Sequence, residues 1–168
     1  MGRLNYTLMN RYFLTLSIRR DGYSAFGMEN PYATFPSGAL AWNLSDESFF
    51  NIKWINNLKV RASYGINGNR DIGIYDALAK LETNKYLTGS TLISGIYSSS
   101  LANQYLKWEK TKALNLGLDF SILNSRLNGS VDYYSMITND LLLKRSLPTI
   151  IGYDNVMSNM GELQNKGV

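Results

Sequence analysis

Leu58-Lys59-Val60-Arg61-Ala62-Ser63-Tyr64-Gly65-Ile66-Asn67 decides the reading of this chain. Apolar and polar residues alternate along it. Side chains on a strand point to opposite faces with period two, so the segment has one greasy face and one wet, cationic face. The same alternation recurs at Tyr12-Phe13-Leu14-Thr15-Leu16-Ser17-Ile18-Arg19. It returns at Leu114-Asn115-Leu116-Gly117-Leu118-Asp119-Phe120 and at Leu127-Asn128-Gly129-Ser130-Val131-Asp132-Tyr133. Strands of this kind, with no helix between them, predict a barrel or a sandwich.

Composition narrows the choice. Of 168 residues, 45% are hydrophobic and only 18% charged. A low charged share suits a sheet with one face in lipid and the other lined by uncharged polar groups. Mean hydropathy is −0.19, a value membrane barrels routinely share with soluble proteins because each strand is only half apolar. No run of about 18 apolar residues exists, which excludes a transmembrane helix. The N-terminus has no apolar core of a signal peptide.

Function classes fall away in the same manner. With no cysteine and no histidine, disulfides, thiolate chemistry, the commonest general base and the commonest transition-metal ligand are all missing. No enzyme, cofactor or metal site is expected. The net charge of +4 is a modest excess, and its densest spots are the pairs Arg19-Arg20 and Lys144-Arg145, which does not point to nucleic acid. Asn67-Gly68-Asn69-Arg70-Asp71 lacks phosphate-loop and calcium-loop spacing and reads as a plain loop. Glu109 and Asp119 share a face, but at strand rise they stand about 33 Å apart, too far for acid–base work.

Connections alternate in length. Tight turns are expected at 9–11 and 123–126, and long loops at 21–32 and 68–105. A third strand is expected over about 33–44, with Pro36 marking a start, bulge or edge because it has no N–H. Residues 46–57 read as a polar-aromatic connection with a short helical turn. Beyond it, 75–81 and 85–96 read as strands parted by Thr83-Asn84. A long strand is expected from Leu106 to Phe120, its return to Ile137, then 141–147 up to Pro148, and a last strand over 156–168. Short turns at one end and long loops at the other are the mark of an outer-membrane barrel. Lys59, Arg61, Asp119 and Asp132 must then face the lumen, because Arg or Lys on the lipid face costs roughly 2–4 kcal/mol near midplane. Leu114, Leu116, Leu118 and Phe120 would meet lipid. Tyr12, Trp42, Tyr64, Phe120 and Tyr133 lie near the ends of apolar stripes, where an interfacial girdle belongs. The alternative is a soluble carbohydrate-binding β-sandwich with the same stripes as its core.

Several segments together resemble the C-terminal barrel region of SusC/RagA-type TonB-dependent outer-membrane transporters. They are Gly2-Arg3-Leu4-Asn5-Tyr6, Ser17-Ile18-Arg19-Arg20-Asp21-Gly22, Phe35-Pro36-Ser37 through Ala41-Trp42, and Leu58 to Gly65 with Asn67-Gly68-Asn69. Leu106-Lys107-Trp108-Glu109-Lys110-Thr111, Asn115-Leu116-Gly117-Leu118-Asp119, Val131-Asp132-Tyr133-Tyr134, Thr138-Asn139-Asp140-Leu141-Leu142 and Asn165-Lys166-Gly167 follow in order. The resemblance implies an all-β, antiparallel, up-and-down transmembrane β-barrel, here an incomplete open segment of about eight to ten strands from a large plugged barrel. Residues 1–168 would form one partial barrel domain, with the plug and remaining strands outside it. It further implies TonB-energised import of large nutrients, oligosaccharides or peptides, across the outer membrane, with a SusD-like surface lipoprotein and TonB as partners. Tyr23, Phe26, Tyr32, Tyr97 and Tyr105, in or beside the long loops, are the candidate contacts with substrate or partner.

Overall fold

The computed structural model describes residues 1–26 and 29–168, Thr149 by its backbone alone. Gly27 and Met28, in the long loop expected after the second strand, lie outside the described residues. Among the described residues the strands are β1 (Gly2–Leu8), β2 (Tyr12–Gly22), β3 (Tyr32–Asn43), β4 (Ile55–Asn69), β5 (Leu81–Thr88) and β6 (Thr91–Ser98). They continue as β7 (Ser100–Leu101), β8 (Glu109–Ile122), β9 (Leu127–Asn139), β10 (Leu142–Ser146), β11 (Asn155–Asn159) and β12 (Glu162–Gly167). Seven of them form one sheet in the order β1-β2-β3-β4-β8-β9-β12. Every pairing in that sheet is antiparallel. The wall is thus up-and-down, and fewer strands cross it than the sequence suggested. The remaining strands form a β5-β6 hairpin and a small β10-β11-β7 sheet in the long connections.

Turn chemistry explains the tight end. Met9 and Asn10 both take φ of 52°, and the Arg11 N–H donates to the Leu8 carbonyl at 3.0 Å. Two successive left-handed residues make the turn whose twist matches paired strands. Leu123, Asn124 and Ser125 are left-handed as well, with the Ser125 N–H held by Asn56 Oδ1 at 3.0 Å. The short helical turn falls at the head of the polar-aromatic connection rather than within it, as a 3₁₀ turn over Leu44–Asp46. Pro36 lies within β3 opposite Ile18, one residue beyond the β3–β4 ladder, which begins at Ser37 and Gly65. A missing N–H there breaks no pairing with β4.

Four expectations change. Thr83-Asn84 falls inside β5, and the chain reverses at Gly89, where φ is +64°. Residues 75–80 are turn, organised by Asp76, which accepts the Gly73 N–H at 2.7 Å and pairs with Lys80. The last strand is two strands in different sheets, parted at Gly161 with φ +83°. One pairing is parallel, the short bridge between Ser100-Leu101 and Asn155-Val156. Those two segments come from separate loops, so no tight turn dictates their relative direction.

At the short-turn end Tyr12 and Trp42 stack with centroids 6.0 Å apart, and Phe49 meets Trp42 edge-on at 6.5 Å. Glu47 accepts from the Tyr12 hydroxyl at 2.5 Å, from Trp42 Nε1 at 3.0 Å and from Arg11 Nη1 at 3.3 Å. The Tyr12 hydrogen bond foremost, then that of Trp42, holds the Glu47 carboxyl below the usual glutamate range. A depressed carboxyl stabilises the fold above its ordinary pKa, and that contribution disappears as pH falls through the depressed one. In the intact barrel in detergent, Glu47→Gln should therefore lower the melting temperature at neutral pH. The difference from wild type should shrink toward zero in acid, and a difference that grows in acid would contradict this arrangement.

The sheet does not close. β1 and β12 each pair on one side only and leave a row of N–H and C=O groups free on the other. Such edges template aggregation in water. The chain expressed alone should be insoluble or detergent-dependent. A monodisperse water-soluble monomer with a cooperative melt, seen by light scattering and circular dichroism, would count against this architecture.

Candidate functional site

Register assigns the two faces. Directly opposed residues share a face, so Leu14, Leu40, Ala62, Leu116 and Tyr133 form one row across β2, β3, β4, β8 and β9. Trp42, Val60, Leu118 and Val131 form the next. These side chains are open rather than packed: Leu40 is 60% exposed and Leu116 44%. Fully burying such a side chain is worth about 1.5–3 kcal/mol, so a row of them in water is untenable and lipid is the solvent they fit. A sandwich would have covered this stripe with a second sheet, and none lies on it among the described residues. The stripe ends toward the long loops in Lys110 and Lys112, opposite Gly68 and Ile66. β12 departs from it, with Gln164 opposite Ile137 and Lys166 opposite Ser135. A lysine stem is long enough to carry its ammonium toward the headgroups.

The other face is polar and internally bonded. Arg61 holds Asp119 through two hydrogen bonds, Nε to Oδ2 and Nη2 to Oδ1, both 2.8 Å. Its Nη2 also reaches Asp132 Oδ1 at 3.0 Å. The network crosses three strands because the row between Arg61 and Asp132 is filled by Gly117. A Cβ there would stand 2.5 Å from Asp132 Oδ1 and 2.8 Å from Arg61 Nη2. Around it lie Ser17–Ser37 at 2.6 Å, Thr15–Asn5 at 3.0 Å and Thr111–Thr138 at 2.8 Å. Sequence reading placed these groups on one face but did not pair them. Arg61 and Asp132 are 71 residues apart, and only register brings them together. The signal that was present is Gly117, a small residue inside an otherwise bulky strand. The three charged side chains are 38–49% exposed, and ion pairs so exposed contribute only about 0–1 kcal/mol. The network therefore shapes a hydrophilic wall more than it holds the fold.

The buried cluster sits at the loop end, beyond the sheet's middle. It comprises Ala25, Phe26, Ala33, Phe35, Ile72, Ala77, Leu106 and Trp108. Of the sequence candidates, Phe26 is only 2% exposed and packs on Trp108 at 5.1 Å. Tyr23 meets Phe26 at 5.5 Å and Trp108 at 6.4 Å. Tyr32, Tyr97 and Tyr105 stay open, Tyr105 at 76%, and Tyr97 donates to Asp154 at 3.2 Å. The structure thus joins Tyr23 to Phe26 and leaves the other tyrosines on the loop surface. Trp108, expected within the strand from Leu106, lies just before β8 and is the residue around which this end packs.

The whole chain, residues 1–168, matches the family model described as TonB dependent receptor-like, beta-barrel. It is 44% identical over 167 residues to TonB-dependent receptor P3 of Formosa agariphila, covering 99% of the chain and 17% of that relative. To TonB-dependent receptor SusC of Bacteroides thetaiotaomicron it is 40% identical over 174 residues, covering 99% of the chain and 17% of the relative. A solved structure of the RagAB peptide transporter superposes with a TM-score of 0.85 at 32% identity, covering 98% of this chain and 18% of that one. The chain therefore spans about a sixth of the length of the relatives it matches. By name, these relatives are TonB-dependent receptors and a peptide transporter.

The two faces predict opposite responses to the same substitution. In the intact protein, Leu116→Arg should reduce assembled barrel sharply, since a lipid-facing arginine near midplane costs roughly 2–4 kcal/mol. Asn115→Arg, one residue away on the polar face, should leave most of it assembled. Heat-modifiable mobility of outer-membrane fractions measures both, and equal losses would contradict the assignment of faces.

Proposed function

This chain belongs to the β-barrel family of TonB-dependent receptors, and we propose that it supplies barrel wall and surface loops to an outer-membrane importer of large nutrients. Outer-membrane barrels carry short turns on the periplasmic side and long loops outside. The turns at Met9-Asn10 and 123–126 are then periplasmic, and the Phe26–Trp108 cluster with the β5-β6 hairpin is external. Residues 1–168 are one part of the barrel domain, and a plug and the remaining strands complete it.

One observation carries the reading: a wall with an open apolar outer face and, on the other, a satisfied polar network of Arg61, Asp119 and Asp132. A polar inner wall lets a hydrated solute pass without binding it tightly. The cargo would be oligosaccharide or peptide. SusC and the RagAB peptide transporter are the relatives that support this class. A SusD-like surface lipoprotein would meet the loop end, with Tyr23, Phe26, Tyr32, Tyr97 and Tyr105 as the candidate contacts. With Phe26 enclosed, it acts by seating Tyr23 and Trp108, and the open tyrosines do the touching. TonB would supply the energy through the plug.

A host lacking the intact protein should fail to grow when one class of oligosaccharide or peptide is its only carbon source. Complementation should restore growth, and disabling TonB should abolish it again. Unchanged growth of the deletion strain on all such nutrients, together with unchanged uptake of labelled oligosaccharides and peptides, would overturn the proposal.

A further inference from the structure

The loop end carries a cationic cleft that the polar wall does not account for. Arg19, Arg20, Asp21, Arg70 and Trp108 border a cleft of about 540 Å³, a size suited to a small ligand or one unit of a polymer. Arg19 and Arg70 bring two guanidinium groups to it against one carboxylate, while the Arg20 side chain belongs to the other face of β2.

The arginines are held in place. Arg19 lies over the Phe35 ring at 5.4 Å, and Arg70 over the Tyr23 ring at 4.7 Å. Both rings belong to the aromatic cluster around Trp108, with Phe35 5.6 Å and Tyr23 6.4 Å from it. Phe35 is itself fixed against Gly68, where a Cβ would stand 2.0 Å from its Cζ. Stacking restrains a guanidinium plane and leaves its N–H edge free, the geometry that takes a carboxylate or sulfate through two parallel hydrogen bonds. Arg19 is partly offset by Asp21 at 2.9 Å. Arg70 pairs with no carboxylate among the described residues. Trp108 contributes an indole to the lining of the cleft.

We propose that this cleft binds the oxyanion, carboxylate or sulfate, of an acidic solute on its way into the barrel. The inference rests on the import reading above. It favours a solute over a lipid headgroup because Arg19 shares its strand face with Thr15 and Ser17 of the polar wall, away from lipid. Arg20, on the opposite face and stacked on Tyr32 at 5.0 Å, is the arginine a lipid phosphate would reach.

The test uses the intact protein in detergent, with a sulfated dextran oligosaccharide and its unsulfated counterpart as probes in calorimetry. Binding, unlike growth, does not depend on TonB, so its failure is distinct from failure of the import reading. The sulfated probe should bind at least about tenfold tighter than the neutral one at low salt and lose this advantage as salt rises. Arg70→Gln, in a surface loop, should remove about tenfold of that affinity, and Arg70→Lys should restore only part of it. Arg19→Gln should act in the same direction, provided heat-modifiable mobility shows the barrel assembled. Quenching of indole fluorescence by the sulfated probe should vanish in Trp108→Phe. Equal affinity for the two probes, or a sulfated-probe affinity unchanged by Arg70→Gln, would overturn the site. Binding of lipopolysaccharide vesicles that depends on Arg70, with no binding of the sulfated probe, would overturn the solute assignment in favour of the membrane.

Discussion

Everything in this structure follows from one constraint: inside hydrocarbon, each backbone N–H and C=O must find a partner within the protein. An unpaired group there costs several kcal/mol. The antiparallel ladder meets the constraint strand by strand, and the pleat then forces every side chain to one of two solvents. A transmembrane strand needs about 9–11 residues. β2, β3, β4, β8 and β9 have 11, 12, 15, 14 and 13. β4 pairs with β8 up to Asn69 and Glu109, while β3 leaves β4 at Ser37. The wall therefore opens at its loop end, and the space between the splayed strands is where Phe35 and Trp108 pack.

That division explains where burial occurs. A water-soluble sheet must hide its apolar face under another layer. A lipid-facing sheet need not, so Leu40 and Leu116 remain open and the buried cluster forms only where loops meet water. The long connections must make their own core there, and they do so with side chains drawn from 25 to 108. Asn159 and Asn103 then pin the loop bases. Asn159 Nδ2 donates to the Lys107 carbonyl at 2.8 Å and the Asp140 carbonyl at 2.9 Å, and Asn103 Nδ2 to the Met157 carbonyl at 2.9 Å.

The charged residues are sorted by the same logic. On the polar face Arg61 can be half exposed and still useful, because its role is to present a wetted, neutralised surface. On the loop rim, Arg19 and Arg70 meet one carboxylate and the local charge stays positive. The same residue type thus does two jobs: surrounded by acids it makes a smooth wall, and seated on aromatic rings it makes a binding edge.

How much of this was legible in advance differs by element. Period-two alternation around Leu58–Asn67 and Leu114–Phe120 determined strand type and the two faces, because those depend only on neighbours along the chain. The turns at Met9-Asn10 and 123–126 were legible for the same reason. The hairpin at Gly89 was not, since residues 81–98 are exposed throughout most of their length and carry no clear stripe. Nor was the break at Gly161. It moves β11 into the loop sheet and β12 into the wall, a choice made by partners far away in sequence. Tyr23 and Phe26 were flagged by their loop position, but only packing on Trp108 decided that Phe26 is enclosed. The Arg61–Asp119–Asp132 network needed register across three strands. So did the placing of Arg19 and Arg70 on one cleft, which depends on where β3 parts from β4. Local pattern by itself determined what the long wall strands are and which solvent each of their faces requires. Only the tertiary structure decided which distant charges meet, because contacts across strands are set by register and loop packing that no short stretch of chain encodes.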